Sequence, residues 1–315
     1  MRVSLGLPTH HVDVPDLLSA DGIGRLAKEA EDLGFDAVYV TEHPFPADDW
    51  LASGGHHALD PTIALAVAAT ATTTIALHTN LFVPALRNPY LAAKAIASLD
   101  VVSGGRVILG VGAGYLEGEF DALGARFATR NDDLDVAIDA MRAAWTGTTV
   151  TDTSDRWKAV ANTALPRPAQ QPGPPVWVGG NSRRAMRRAV ERGAGWSPFP
   201  AGGGMAAATR TTELRTPEQL RARVEEAHEH ARTVGRTEPL DICFVPRGLA
   251  MTDDQTPDLD EVVASCEALA AVGCTWVAVS FPARSVEGQI ESMRGFAEAV
   301  LPRVGALEPG LVYVP

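Results

Sequence analysis

Short β-branched runs alternating with longer amphipathic stretches from end to end predict a single α/β domain over residues 1–315: a (β/α)8 TIM barrel with insertions at its C-terminal face. Three observations carry that expectation. The strand runs and the helical stretches each number eight. Several strand runs are apolar without alternation, as parallel strands covered on both faces require. Composition changes little along the chain, so nothing marks a second domain. An open doubly wound sheet is the rival architecture, but no sign of a sheet reversal interrupts the eight units.

The elements follow in order. Arg2–Leu7 opens as a strand, and Ile23–Leu33 follows as a helix with Leu26, Ala30 and Leu33 on one face and Gly34 as its stop. Ala37–Thr41 is the second strand, and Asp60-Pro61 caps the helix Pro61–Thr70. Ile75–Val83 leads to Asn88-Pro89 and the helix Pro89–Ser103; Val107–Gly112 leads to the helix Arg130–Trp145. Val176–Gly179 and Ser182–Arg192 form the fifth pair, Gly195–Pro198 and Thr216–Val234 the sixth, with Thr216-Pro217 as the cap. Asp241–Pro246 with Asp258–Ala271, then Trp276–Ser280 with Val286–Leu301, complete the count. Two stretches fall outside the repeat. Residues 152–175, rich in proline, read as an excursion before the fifth strand, and residues 201–216, with Gly202-Gly203-Gly204, as a mobile loop after the sixth. Both are expected on or near the C-terminal rim.

Charge and composition narrow the function. The 315 residues are 46% hydrophobic and 21% charged, with 27 basic and 39 acidic side chains and a net charge of −12. Mean hydropathy is +0.01. These are globular values, and the acidic balance argues against a general nucleic-acid or anionic-membrane binder. Cys243, Cys266 and Cys274 fit no metal spacing and are expected as buried thiols; no metal centre is expected. The first residues are interrupted too early by Pro8 for a signal segment, and no apolar run approaches a membrane span, so the expected location is cytoplasmic. The 29 glycines are many beside 6% aromatics.

In a barrel of this kind, chemistry belongs at strand C-terminal ends. The second strand ends in Glu42-His43, a carboxylate beside the one side chain that titrates near neutrality. Asn80, inside the apolar third strand, suggests a bulge. The fourth strand runs into Gly110-Val111-Gly112-Ala113-Gly114, bare backbone that a flat ring or phosphate could approach, though not a dinucleotide fingerprint. After the fifth strand, Gly179-Gly180-Asn181-Ser182 opens a helix that begins with Arg183 and continues basic to Arg188, the best phosphate site visible in the sequence. His56 and His57 read as exposed loop residues. Trp50, Tyr115, Trp196, Phe199 and the 201–216 loop are expected to shape a substrate.

Taken together, these segments resemble the luciferase-like monooxygenase superfamily, and within it the coenzyme F420-dependent oxidoreductases. The matching residues are Ala30 to His43, Arg87-Asn88-Pro89, Ala97 to Arg106, Gly110 to Gly114, Glu119 to Gly124, Pro174 to Ser182 and Gly193 to Trp196. The resemblance implies a homodimer that binds a tricyclic deazaflavin, with FMN as the alternative cofactor, and a small-molecule substrate. A flavin or F420 reductase supplying the reduced cofactor is an implied partner. It implies a non-prolyl cis peptide at Asn80–Leu81 beneath the ring, backbone contacts at Gly112, Ala113 and Gly114, and a phosphate at Gly179, Gly180, Asn181, Ser182 and Arg183. His43, oriented by Glu42, is the implied acid/base. One departure stands out: Tyr115 occupies the place where some deazaflavin dehydrogenases carry a glutamate, while Glu117 and Glu119 are displaced from it. The main reading is hydride transfer with F420; FMN-dependent monooxygenation and a non-catalytic flavin-binding barrel are the alternatives.

Overall fold

A computed structural model describes residues 1–153, 156–250, 252 and 255–315. Among the described residues ten strands form: β1 (Arg2–Gly6), β2 (Ala37–Val40), β3 (Ala76–Phe82), β4 (Val107–Val111), β5 (Val150–Thr153), β6 (Lys158–Asn162), β7 (Val176–Gly179), β8 (Gly195–Ser197), β9 (Asp241–Phe244) and β10 (Trp276–Val279). Eight of them close a barrel in the order β1-β10-β9-β8-β7-β4-β3-β2, and every pairing within it is parallel. The (β/α)8 expectation is met.

The helices are α1 (Pro15–Leu18), α2 (Ala20–Leu33), α3 (Asp48–Ala52), α4 (Pro61–Ala71), α5 (Pro89–Val102), α6 (Glu117–Ala122), α7 (Arg130–Trp145), α8 (Arg183–Arg192), α9 (Gly203–Ala208), α10 (Pro217–Thr233), α11 (Leu259–Ala271), α12 (Val286–Ala299) and α13 (Leu301–Val304). The caps read from the sequence are in place. Asp60 accepts from Thr62 and Ile63 amides, Asn88 from the Tyr90 amide, and Thr216 forms a capping box with Gln219. Gly34 ends α2 in the left-handed conformation.

The outer core fills the space between barrel and helices, and a smaller one fills the barrel itself. Inside, Trp177 and Trp276 pack edge to face at 5.2 Å. The Trp177 ring occupies the space that a side chain at Gly195 would need, since a Cβ there would lie 2.4 Å from it. All three cysteines are buried and free, as expected, and burial pushes the Cys243 and Cys266 thiols up to about 12.

The two excursions differ in kind. Residues 201–216 follow β8 at the mouth and are more ordered than a mobile loop: they hold α9 and a bridge between Ala201 and Leu214. The earlier one connects α7 to β7, so both its ends lie at the opposite face of the barrel. It holds the antiparallel pair β5–β6 and returns along α5, where Lys94 donates to the Leu165 carbonyl and the Gln170 amide donates to Asp100 at 2.9 Å. Its approach to the rim is the hairpin, where the Tyr90 hydroxyl donates to Asp152 at 2.8 Å. Residues 154 and 155 of this excursion lie outside the described residues.

Glu31 ties α2 to the turn that feeds β3. Its carboxylate accepts the Thr73 and Thr74 amides at 2.8 Å and the Ile75 amide at 3.1 Å. Burial raises this carboxyl group, but those amides and the Thr73 hydroxyl outweigh it and hold it at about 2, below its ordinary 4.5. The depressed value stabilises the fold above pH 4.5, and that stabilisation is lost as pH falls toward 2. Glu31→Gln should therefore cost about 1 kcal/mol near pH 7, discounted for solvent screening, and should flatten the acid limb of stability against pH. Urea unfolding at a series of pH values measures it; an unchanged acid limb would remove Glu31 from the account.

Candidate active site

The site is built on the Asn80–Leu81 segment. That peptide bond is cis, as the resemblance implied, and the β3–β4 register shifts between Thr79 and Phe82. The Leu81 side chain lies against the backbones of β4 and β7. A Cβ at Gly179 would sit 2.0 Å from its Cδ1, one at Gly112 would sit 3.2 Å from it, and one at Gly110 would meet the Thr79 carbonyl oxygen at 2.1 Å. The missing side chains of Gly179 and Gly112 make room for Leu81 and that of Gly110 for the Thr79 carbonyl, while Gly112 and Gly179 also line the cavities at the mouth. Gly114 likewise yields to Phe120, whose ring a Cβ would approach to 2.7 Å.

Glu42 holds the chain just beyond the bulge. It accepts the Val83 amide at 2.6 Å and pairs with Arg87, whose guanidinium lies 4.3 Å over the Phe82 ring. Burial raises the Glu42 carboxyl group, with Arg87 and the Val83 amide opposing that rise. No hydrogen bond joins it to His43, so the expectation that Glu42 orients His43 is corrected. That place is taken by Glu119 on α6. His43 Nδ1 lies 3.4 Å from Glu119 Oε2, Glu119 Oε1 accepts the Phe45 amide at 3.2 Å, and both side chains are less than a tenth exposed. A carboxylate at Nδ1 selects the tautomer with its hydrogen there and leaves Nε2 as the acceptor. The Tyr115 hydroxyl stands 3.4 Å from Nε2; burial, with the Glu119 charge beside it, pushes its pKa up to about 12, so it keeps its proton. Trp50 packs at 4.6 Å from the His43 ring.

His43, Glu119, Tyr115, Leu81 and Asn80 line a cavity of about 240 Å³ at the mouth, together with Phe199 and Phe244. His56 lines it as well, so the reading of both loop histidines as exposed is corrected for His56, while His57 is exposed. A second cavity of about 150 Å³ continues from the first through Leu81, Gly112, Gly114, Tyr115 and Phe199. It reaches Ala113, Gly179, Gly180 and Ser182 at the start of α8.

Of the basic run of α8, Arg188 lines the second cavity with Ser182, while its neighbours are drawn to acids. Arg183 points away to Glu226 at 2.7 Å, Arg184 pairs with Asp132 and Asp135, and Arg192 pairs with Asp139. Arg188 is buried on Asp135 at 2.5 Å. Acids on α7 therefore absorb much of the run, and the cost of burying Arg188 is met by a partner. Asn181 is a staple. Its amide nitrogen donates to the Phe199 and Thr212 carbonyls at 2.9 Å and its oxygen accepts the Phe199 amide, so the side chain anchors the 199–212 segment. Trp196 is also structural, fully buried with its indole on the Gly180 carbonyl at 2.9 Å.

Arginines that sequence reasoning missed line the second cavity: Arg130 and Arg210. Their guanidiniums lie 3.9 and 4.6 Å from the same Phe127 ring. Arg210 pairs with Glu117, whereas Arg130 touches the Gly114 and Phe127 carbonyls and has no carboxylate within ion-pair distance among the described residues. With Ser182 capping α8 and Gly180 at φ +105°, this donor set suits an anion. Nothing in the residues from 126 to 130 marks the pair, because only the fold brings Arg210 to it. A flat ring over Leu81 and a phosphate beside Arg130 therefore fit the residues present.

Comparison with known proteins decides the family. The family model described as luciferase-like monooxygenase matches residues 1–270. The chain belongs to that family. An uncharacterised Mycobacterium tuberculosis protein is 33% identical over 187 residues, 55% of this chain and 66% of its own. The F420-dependent glucose-6-phosphate dehydrogenase of Intrasporangium calvum is 33% identical over 174 residues, 53% of this chain and half of its own length. Among solved structures, monooxygenase RslO1 from Streptomyces bottropensis superposes with a TM-score of 0.77 at 23% identity, covering 96% of this chain and 99% of its own. An F420-dependent secondary alcohol dehydrogenase bound to an F420-acetone adduct gives 0.75 at 18%, covering 96% and 98%. The FMN-bound oxygenating constituent of 3,6-diketocamphane monooxygenase from Pseudomonas putida gives 0.75 at 18%, covering 99% and 100%. These structural likenesses establish the shared fold of the family.

Gly179→Ala tests the floor of the site. Its new methyl group would collide with Leu81, so Leu81 must leave its seat. The variant should lose about 1–3 kcal/mol of stability and bind a ring-bearing cofactor far more weakly, measured by thermal melting and ring fluorescence. Wild-type melting and binding would show that Leu81 is not seated against β7.

Proposed function

We propose that this protein is an F420-dependent oxidoreductase that moves a hydride between the deazaflavin and a small organic substrate. The observation that carries the reading is the buried His43–Glu119 pair, with Tyr115, set above a floor made by Leu81 in a cavity that runs on to Arg130. The deazaflavin, when bound, would supply or accept the hydride. Leu81 and Phe199 would hold its ring, and Arg130, Arg210 and the start of α8 its phosphate. His43 Nε2 would give or take the proton at the substrate oxygen, with Glu119 keeping the imidazole in the right tautomer. A homodimeric assembly belongs to the same proposal.

The second reading is FMN-dependent monooxygenation with a partner reductase. It is favoured by Tyr115, which stands where some deazaflavin dehydrogenases have a glutamate, and by an anion cradle that suits a single phosphate equally well. The structural likeness to an FMN-bound monooxygenase component supports it too.

Side-by-side fluorescence titration with F420 and FMN separates the two. The proposal expects F420 to bind more tightly. Arg130→Met should weaken it about tenfold, the loss of one charge-assisted contact. His43→Ala should lower turnover about a hundredfold or more and leave cofactor affinity within about threefold. Binding of FMN but not F420 would reverse the assignment of the cofactor. Turnover that survives in His43→Ala would remove His43 from the chemistry, and tight binding with no turnover on any substrate would favour a non-catalytic barrel.

A further inference from the structure

The two connected cavities at the mouth divide the charged side chains between them. Arg130, Arg188 and Arg210 line the second cavity, and among the described residues no aspartate or glutamate lines it. The first cavity is the reverse: Glu42 and Glu119 line it, and among the described residues no lysine or arginine does. Leu81 and Phe199 line both, so the change of sign falls where the ring is read to lie. Anionic groups are thus provided for on one side of Leu81 only.

Neither carboxylate of the first cavity is free to hold a cation. Glu42 is 4% exposed and is taken up by Arg87 and the Val83 amide. Glu119 is 5% exposed, with one oxygen facing His43 Nδ1 and the other on the Phe45 amide. An anion entering here would meet the Glu119 charge with no cation to offset it, and a cation would find both carboxylates engaged. What the cavity offers is neutral. Thr41 and Asn80 line it half-buried, and their side chains have no hydrogen-bond partner among the described residues. His43 Nε2 accepts and the Tyr115 hydroxyl, which keeps its proton, donates; they stand 3.4 Å apart. An alcohol hydroxyl can donate to one and accept from the other. Val83, Leu86, Leu116, Phe120, Phe244 and Val245 supply the apolar wall. At about 240 Å³ the cavity lies below the usual range of about 300–1,000 Å³ for small-molecule sites, so its occupant is small.

We propose that the substrate is a small uncharged alcohol or ketone with an apolar body, and that the charge of Glu119 turns away carboxylates and phosphates. This rests on the reading of a deazaflavin oxidoreductase with His43 at the substrate oxygen, and adds to it the class of molecule that the first cavity admits. Glu119 then has two effects: it holds the His43 tautomer and it selects the substrate by charge.

Three ketones of one skeleton test this at pH 7: cyclohexanone, uncharged; 4-oxocyclohexanecarboxylate, an anion; and 4-aminocyclohexanone, a cation. The first arm needs no cofactor. NMR of the His43 side chain follows the binding of each ketone to the protein alone. Cyclohexanone should move the His43 signals, and each charged ketone should bind about tenfold or more weakly. In Glu119→Gln the affinity of the anion relative to cyclohexanone should rise about tenfold; the ratio is read because the substitution also touches His43. A charged ketone that binds as well as cyclohexanone, no response to any of the three, or a ratio unmoved in Glu119→Gln overturns the proposal. In the second arm, the F420-loaded enzyme should show a kcat/KM for cyclohexanone about a hundredfold or more above either charged ketone. Equal or faster turnover of a charged ketone overturns it as well. If the loaded enzyme reduces none of them while the first arm shows the preference for cyclohexanone, the reading of the reaction fails and the selection by charge stands.

Discussion

The contact between Leu81 and the bare backbones of β4 and β7 underlies the whole mouth of the barrel. A leucine side chain can lie flat across neighbouring strands only where those strands carry no Cβ beneath it, and Gly112 and Gly179 provide that space. Once Leu81 is seated, β3 changes register, and the chain leaves the barrel in the direction that Glu42 and Arg87 fix through Val83. The floor of one cavity and the passage to the next are thus set by one apolar contact and one buried ion pair. Filling the space under Leu81 would disturb both ends of the site at once.

Charge is distributed to the same purpose. The chain is strongly acidic, yet the acids of α7 are spent on the arginines of α8, so the two helices hold each other. Arg130 is left lining the second cavity beside Arg210, with no carboxylate within ion-pair distance among the described residues. Burial and the nearby Arg210 lower its pKa, opposed by the charge of Glu117. At the other end, Glu119 places a carboxylate where it can steady an imidazole, and Tyr115 stays protonated beside it.

The barrel was legible because its signals are local. Capping pairs such as Asp60-Pro61 and Thr216-Pro217, and the apolar runs of the parallel strands, are written into neighbouring residues. The β5–β6 hairpin was missed because Val150–Thr153 and Lys158–Asn162 are short, with little apolar pattern to read, and Lys158–Asn162 is mostly exposed. The site was half legible. His43, the Asn80–Leu81 bulge and the approach to Ser182 follow from position along the chain. Their partners do not: Glu119 displaces Glu42 as the neighbour of His43 because the turn of α6, 76 residues further on, aims it there. Arg183 and Arg130 exchange places for the same kind of reason. Helix α10 supplies Glu226 to Arg183, and among the described residues no carboxylate lies within ion-pair distance of Arg130. Adjacent His56 and His57 part ways because only His56 is turned inward, toward His43 and the Trp50 ring.

The most direct test of this account is a crystal structure of the protein soaked with F420. The account predicts the deazaflavin ring in van der Waals contact with Leu81, its reactive face toward His43, and its phosphate within hydrogen-bond distance of Arg130 or the first amides of α8. A ring seated away from Leu81, or a phosphate held by the outward-facing Arg183, would contradict it.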